Sequence, residues 1–364
     1  MTRRYGLIGS GMMGQEHIRN LNLLEGAQVS AIADPDEVML NQSAQLADGT
    51  VSTFDNYPEM LSADICDAYV IVSPNDTHHD ILMELAATNK PILCEKPLCT
   101  TVADCQRVMN RFESASAPIW VAMEYRYMPP VQRLLAEVQN GTAGQARMMS
   151  IREHRFPFLP KVGDWNRFNS RTGGTLVEKC CHFWDLMRLA MESDPIRVFA
   201  SAAADVNHQD ESYDGKTPDI IDNAYVIIDF ENGTRGMLDL CMFAEGSKWQ
   251  EVVSITGSKA RIDACVPGPA RFSNDGKEQT AQLVYSTRCE KQERIEPVEV
   301  DEHILQAGDH HGSSYFQHER FLKLVKGEIL TPEVSLEDGL WSVRVGEAAE
   351  RSAVTGRAID LRSD

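Results

Sequence analysis

The chain has 364 residues, a net charge of −19 at pH 7 and a hydrophobic fraction of 43%. That length exceeds the ~250–300 residues at which single cores stop growing, so two domains are expected. The acidic balance, with no basic block and no zinc-ligand spacing, sets nucleic acid and anionic membranes aside as partners.

Residues 5–8 read as a short apolar strand, and Gly9-Ser10-Gly11-Met12-Met13-Gly14 follows at once. An amphipathic helix over 15–24 leads to a second apolar run over 29–33, which ends on Asp34. Strand, Gly-x-Gly-x-x-Gly, helix, strand and acid form a complete dinucleotide-binding unit. Gly9 permits the tight turn, Gly11 lets the backbone approach a pyrophosphate, and Gly14 lets the helix pack close. The helix N-terminus offers free N–H groups to the phosphates, and Asp34 can accept hydrogen bonds from a ribose diol. Because that carboxylate would repel a 2′-phosphate and Pro35-Asp36 brings no cation, NAD is expected over NADP.

Strands are predicted next over 67–72, 91–94 and 118–123, and helices over 77–89 and 101–114. Such alternation implies a parallel sheet covered on both faces, a doubly wound Rossmann unit over residues 1–124. Two further polar turns, Ser73-Pro74-Asn75 and Glu95-Lys96-Pro97, end strands where ligands sit in such sheets.

Residues 125–364 change pattern. A strand over 145–154, a long helix over 174–191 and strands over 198–204, 223–230, 234–241, 249–256 and 260–264 predict an α+β domain with a mainly antiparallel open sheet. Asn232-Gly233 and Gly257-Ser258 are hairpin-type turns. The stretch 267–296 is polar and yields no element, and helices over 314–326 and 336–355 close the chain, with room to pack back on the first domain. Apolar residues on both parities of the sheet strands (Tyr225 and Ile227 beside Val226 and Ile228) predict a homo-oligomer, dimer or tetramer. Nine cysteines without a C-x-x-C pair, no signal-peptide core and no run near ~20 apolar residues predict a cytoplasmic protein.

Two groups carry chemistry. Lys96, at a strand end beside a dinucleotide, can hold a hydroxyl or carbonyl oxygen, although a lysine before proline alone says little. In Gly173-Gly174-Thr175-Leu176-Val177-Glu178-Lys179-Cys180-Cys181-His182-Phe183-Trp184-Asp185, residues Glu178, His182 and Asp185 fall on one helical face. Histidine suits proton transfer and a carboxylate one turn away can orient it; satisfaction of buried polar groups is the equal alternative. A third cluster, Arg152-Glu153-His154-Arg155, Lys161, Asp164-Trp165-Asn166-Arg167 and Arg171, reads either as surface cations pairing with surplus acids or as a pocket for an anionic or hydroxylated substrate. His310-His311-Gly312 lacks further metal-ligand spacing, so no metal is expected.

GSGMMG, SPNDTHHDI, CEKP and GGTLVEKCCHFWD occur in the order that resembles the glucose–fructose oxidoreductase / inositol dehydrogenase / MocA (Gfo/Idh/MocA) family. The resemblance implies a Rossmann domain followed by an open-sheet domain, bound NAD or NADP, a cis Lys96-Pro97 peptide, and Lys96, Glu178 and His182 as the catalytic group. It extends the cofactor contacts from Gly9, Ser10, Gly11, Met12, Met13, Gly14 and Asp34 to Ser73, Pro74, Asn75, His78, Glu95, Lys96 and Glu124. Candidate substrate contacts are Arg126, Arg155, Trp165, Arg167, Arg171, Lys179 and His311. The chain departs from the family's pattern where Glu178 replaces the usual aspartate, where Lys179 adds a cation, and where Glu124 stands for an amide near the nicotinamide. The expected activity is an NAD-dependent oxidation of a sugar, cyclitol or sugar acid. Alternatives are an NAD-dependent glycoside hydrolase working by transient oxidation on an anionic, sulfonated-sugar glycoside, and a dinucleotide sensor without turnover.

Overall fold

The computed structural model describes residues 1–273, 276–277 and 279–363; three positions of the polar 267–296 stretch and the last residue lie outside the described residues. The first half is a six-stranded parallel sheet in the order β3-β2-β1-β4-β5-β6. Its strands are β1 (Arg3–Ile8), β2 (Ala27–Ala33), β3 (Ser52–Phe54), β4 (Ala68–Ile71), β5 (Ile92–Cys94) and β6 (Ile119–Val121). Helices α1 (Met12–Leu23), α2 (Glu37–Leu46), α3 (Tyr57–Ala63), α4 (His78–Leu85) and α5 (Val102–Phe112) join them. The strand order reverses between β1 and β4, the position where doubly wound sheets open a crevice.

The unit α2–β3–α3 escaped the sequence reading. β3 has three residues and no buried one, too little apolar pattern to register. The helices are instead announced by caps: Asp36 accepts the N–H groups of Val38 and Met39, and Asn56 accepts that of Glu59.

The second sheet has nine strands in the order β14-β13-β12-β11-β7-β10-β9-β8-β15. They are β7 (Ala146–His154), β8 (Pro195–Ala203), β9 (Asn223–Phe230), β10 (Arg235–Cys241), β11 (Glu251–Gly257), β12 (Ala260–Val266), β13 (Ala281–Thr287), β14 (Glu293–Val298) and β15 (Ile359–Asp360). The two predicted hairpins form, β9 with β10 and β11 with β12. All pairs are antiparallel except β7–β10, because β7 enters between β10 and β11 and lies parallel to the former. β13 and β14 fall in the polar stretch. β13 buries only alternate residues (Ala281, Leu283, Tyr285), and the edge strand β14 buries just Val298, as charged edges do.

α6 (Pro129–Gln139), α7 (Asn169–Thr172), α8 (Thr175–Glu178), α9 (Cys181–Met191), α10 (Glu302–Gln306), α11 (Ser313–Lys326) and α12 (Leu336–Thr355) complete the chain. Phe183, Trp184 and Met187 of α9 and Ala348 and Ala349 of α12 join the inner face of the nine-stranded sheet in one core. Phe321, Leu322 and Val325 of α11 belong instead to the core of the parallel sheet, so the last helices do return to the first half. The predicted single helix over 174–191 is broken. The Cys180 amide reaches back to the Thr175 carbonyl at 3.3 Å, a wide turn that separates α8 from α9 and changes the register of the side chains beyond it. No helix among the described residues is long and apolar enough to cross a membrane.

Candidate active site

The turns after β1, β4 and β5 meet at a cleft of about 1330 Å³ that continues under the second sheet. Gly9 takes φ 97°, and a Cβ there would lie 2.6 Å from the Val72 carbonyl oxygen, so this turn requires glycine. A Cβ at Gly11 would meet nothing within 4 Å, which leaves the backbone open to the cleft. Asp34 organises the same loop: its carboxylate accepts the Ser10 amide at 2.6 Å, the Ser10 hydroxyl at 2.9 Å and the Asp36 amide at 2.8 Å. Gly9, Ser10, Gly11, Met12, Met13 and Asp34 line the cleft, as do Ser73, Pro74 and Asn75. An open glycine backbone at a helix N-terminus with a carboxylate beside it fits a dinucleotide's pyrophosphate and ribose.

Lys96-Pro97 is a cis peptide, as expected. Behind it Glu95 is buried, with Oε1 2.9 Å from His17 Nε2 and Oε2 accepting the Lys96 amide at 3.1 Å. His17 Nδ1 in turn lies 2.7 Å from Nε2 of His318 on α11. Lys96 Nζ donates to the Glu178 carbonyl at 3.2 Å. Burial opposes its charge, but Cys181, Glu124, Glu178 and Glu95 outweigh burial and raise the ammonium above its ordinary value.

Glu178, Lys179 and His182 reach the same wall of the cleft. The predicted pairing of Glu178 with His182 does not form: the wide turn at Cys180 removes the regular four-residue spacing. Glu178 lies 3.7 Å from Lys161 Nζ, while the group facing His182 Nε2 is Glu124, at 3.5 Å. Burial, then the cations Lys96, Lys179 and His310, hold the His182 imidazole well below its usual range. The Tyr125 ring stacks on it, centroids 4.2 Å apart and planes 7° from parallel. Lys179, a candidate substrate contact in the sequence, points inward. It donates to the Tyr125 hydroxyl at 2.6 Å and pairs with Glu153 at 2.9 Å. Tyr125 donates to Glu251 at 3.2 Å, and burial followed by Glu153 raises that carboxyl to about 7.

Arg155, Trp165 and His311 also line the cleft, together with Lys161, whose ammonium sits 4.5 Å from the Trp165 ring centroid. Gln250 and Arg271 line it too, and sequence reasoning missed both; the first follows a loop with no motif, the second lies in the polar stretch. His310 reaches the cleft held by Glu16 of α1, Nδ1 to Oε1 2.8 Å. Burial opposes the charge on His310, but Glu16 outweighs it and raises the imidazole to about 9. Among the described residues no group of three or more His, Cys, Asp or Glu could hold a metal.

Five expected contacts stand away from the cleft. Gly14 packs α1 onto the loop, where a Cβ would meet the Gly9 carbonyl oxygen at 2.8 Å. His78 is buried between the Pro97 and Ser73 carbonyls, 2.8 and 3.1 Å from its ring nitrogens, and ties two of the turns together. Arg167 is buried and bonded to Glu211 at 2.8 Å, and Arg171 is bonded to Asp76 at 2.6 Å. Arg126 donates through Nε to Asp185 at 2.5 Å and through Nη1 to the Glu333 carbonyl at 3.0 Å. Each of these arginines satisfies an acid, the bland alternative for this cluster. Arg126→Ala leaves Asp185 buried without its cation and should cost about 3 kcal/mol or more of stability. A denaturant melt checks this; activity per folded molecule should stay within about threefold.

The family model for the NAD-binding Rossmann fold of the oxidoreductase family matches residues 3–123, and that for the family's C-terminal alpha/beta domain matches 136–361. Myo-inositol 2-dehydrogenase of Thermotoga maritima is 27% identical over 360 residues, covering 98% of each chain. The rhizopine catabolism protein MocA of Rhizobium meliloti is 26% identical over 294 residues, 79% of this chain and 88% of the other. The crystal structure of a probable dehydrogenase from Thermotoga maritima superposes with a TM-score of 0.78 at 26% identity over 99% of both chains. The glycine loop, the Glu95-Lys96-Pro97 turn and both matched domains place this chain in the Gfo/Idh/MocA family of NAD-binding oxidoreductases.

Proposed function

We propose that this chain is an NAD-dependent dehydrogenase oxidising a ring hydroxyl of a cyclitol, sugar or sugar acid. The observation that carries the reading is the convergence of Lys96 from the Rossmann half with Glu178, Lys179 and His182 from the other half on one wall of the dinucleotide cleft. The relative named myo-inositol 2-dehydrogenase supports the substrate class. Bound NAD would supply the hydride acceptor, held by the glycine loop and Asp34. Lys96 is bonded to a carbonyl and not to a carboxylate, so its charge stays available to the substrate oxygen as negative charge develops there. His182, kept neutral, takes the hydroxyl proton. Glu178 holds Lys161, and Trp165 beneath that ammonium offers an apolar face to a sugar ring.

His182→Ala should lower turnover by about 10²–10⁴-fold, and Lys96→Ala by at least as much. The double variant should be little worse than the poorer single, because both act on one oxygen. The assay is NADH absorbance with myo-inositol and a sugar panel, run beside a glycoside panel scored for aglycone release. A normal rate per folded His182→Ala molecule overturns the assignment, and aglycone release without NADH replaces dehydrogenation with redox-neutral cleavage.

NADP should bind at least tenfold more weakly than NAD, about 1.4 kcal/mol, and a fluorescence titration measures the ratio. Pro35→Arg with Asp34→Ser should narrow it.

The outward face of the nine-stranded sheet supports the reading of a homo-oligomer. Phe199, Ile227 and Met237 stand in register on β8, β9 and β10, with Tyr225 one pair along, all exposed by 41% or more. Light scattering at micromolar concentration should give at least twice the chain's mass of 40.6 kDa.

A further inference from the structure

Glu124 is the buried acid that the reading above leaves without a task. It opens the turn after β6, is 1% exposed and lines the cleft. Neither of its carboxyl oxygens has a hydrogen-bond partner in the protein, and Oε1 lies 3.5 Å from His182 Nε2. His182 Nδ1 is likewise buried without a partner. Glu124 and His182 are thus buried neighbours on the cleft wall, 3.5 Å apart through Oε1 and Nε2, an arrangement in which a proton can pass between them.

The surroundings set the direction of that exchange. Glu95 stands behind Glu124 on the β5 turn, with Lys96 beside it and His310 arriving from the loop before α11. Burial and then Glu95 favour the neutral carboxyl, against the cations His310 and Lys96, and push it up to about 7. His182 experiences the opposite balance, since burial and the cations Lys96, Lys179, His310 and Arg155 all disfavour a proton on the ring. Of the two neighbours, the carboxylate holds the proton better.

We propose that the substrate's hydroxyl proton passes through His182 Nε2 and comes to rest on the Glu124 carboxylate. The inference rests on the dehydrogenase reading. In the oxidation direction the O–H bond breaks and its electron pair becomes the second bond of the carbonyl. Hydride leaves the carbon for the acceptor that NAD supplies, the proton ends on Glu124 Oε1, and His182 is neutral before and after. Glu124 must therefore be ionised to receive it, so oxidation slows as pH falls through the carboxyl's value.

The test uses the full chain, with and without NAD. Infrared difference spectra between about pH 5 and about pH 9 should show protonated carboxylic C=O stretches titrating near 7, of which the Glu124 component is lost in Glu124→Gln while those of Glu251 and Glu350 remain. With the substrate found in the panel, kcat for oxidation should rise with pH through the same region in the wild type. In Glu124→Gln that limb should vanish and kcat fall about 10- to 100-fold, while Glu124→Asp keeps the limb at a reduced rate. NAD affinity should stay within about threefold in both. A Glu124→Gln enzyme that retains the limb, or an infrared titration that this substitution leaves unchanged, overturns the proposal. Weakened NAD binding with unchanged kcat overturns it in favour of a cofactor contact. No NAD reduction by the wild type with any compound removes the dehydrogenase reading and this proposal together, whereas turnover with an unchanged limb removes the proposal alone.

Discussion

The hydrogen bond from Lys96 Nζ to the Glu178 carbonyl joins the two halves of the molecule at the point where chemistry is expected. Each end depends on its local turn. On the Rossmann side, the buried Glu95 carboxylate accepts the Lys96 amide and holds the turn from which the ammonium reaches the Glu178 carbonyl. On the other side, the wide turn at Cys180 ends α8 at Glu178, so its last carbonyl receives an ammonium and a Cys181 thiol. The same wide turn swings Lys179 into the cleft and sets His182 against Glu124 and Tyr125. An unbroken helix would have produced the Glu178–His182 pair, with Lys179 roughly 100° away from Glu178 around the axis.

This is why the fold was more legible than the site. Residues 5–34 announce themselves because glycine spacing, strand length and the terminal acid all serve one local geometry. Sheet strands joined by a tight turn, such as β9 and β10 around Asn232-Gly233, were readable for the same reason. What the sequence concealed depends on distant partners. Glu16 on α1 looks like a solvated helix residue until His310, Ser314 and the Asp309 amide close on it from almost three hundred residues away. Glu124 stood out only through the family resemblance, because its character comes from Glu95 and Lys96 on the turn after β5 and from His182 on α9. A broken helix is also invisible to periodicity, which cannot register a single amide reaching one residue further back.

The placement of charge explains how a chain of net −19 builds a cleft rich in cations. His310 carries its proton because Glu16 is held as a carboxylate by three donors. Burial resists ionisation of that carboxyl too, but His310 and the other donors outweigh it and lower Glu16 to about 2. His310 is therefore a fixed positive group near neutral pH, whereas Glu124 and Glu251 are the buried carboxyls of the cleft region raised to about 7. Fixed and titrating groups are thus separated by their partners and not by residue type.

The same accounting bears on the substrate. The cationic stretch from Arg152 to Arg171 suggested an anion pocket, yet Arg167 and Arg171 are spent on Glu211 and Asp76 outside the cleft. The cations that do reach it are matched: Arg155 and Lys179 face Glu153 at 3.5 and 2.9 Å, Lys161 faces Glu178, and Arg271 pairs with Asp309. An anionic ligand would have to compete with these carboxylates for each cation, whereas neutral hydroxyls can bridge an ammonium and a carboxylate at once, donating to one and accepting from the other. Lys96 is bonded to a carbonyl and has Glu124, Glu178 and Glu95 around it, so its charge too is set among acids. A wall of paired charges therefore suits the hydroxyl-rich ring of the proposed substrate class.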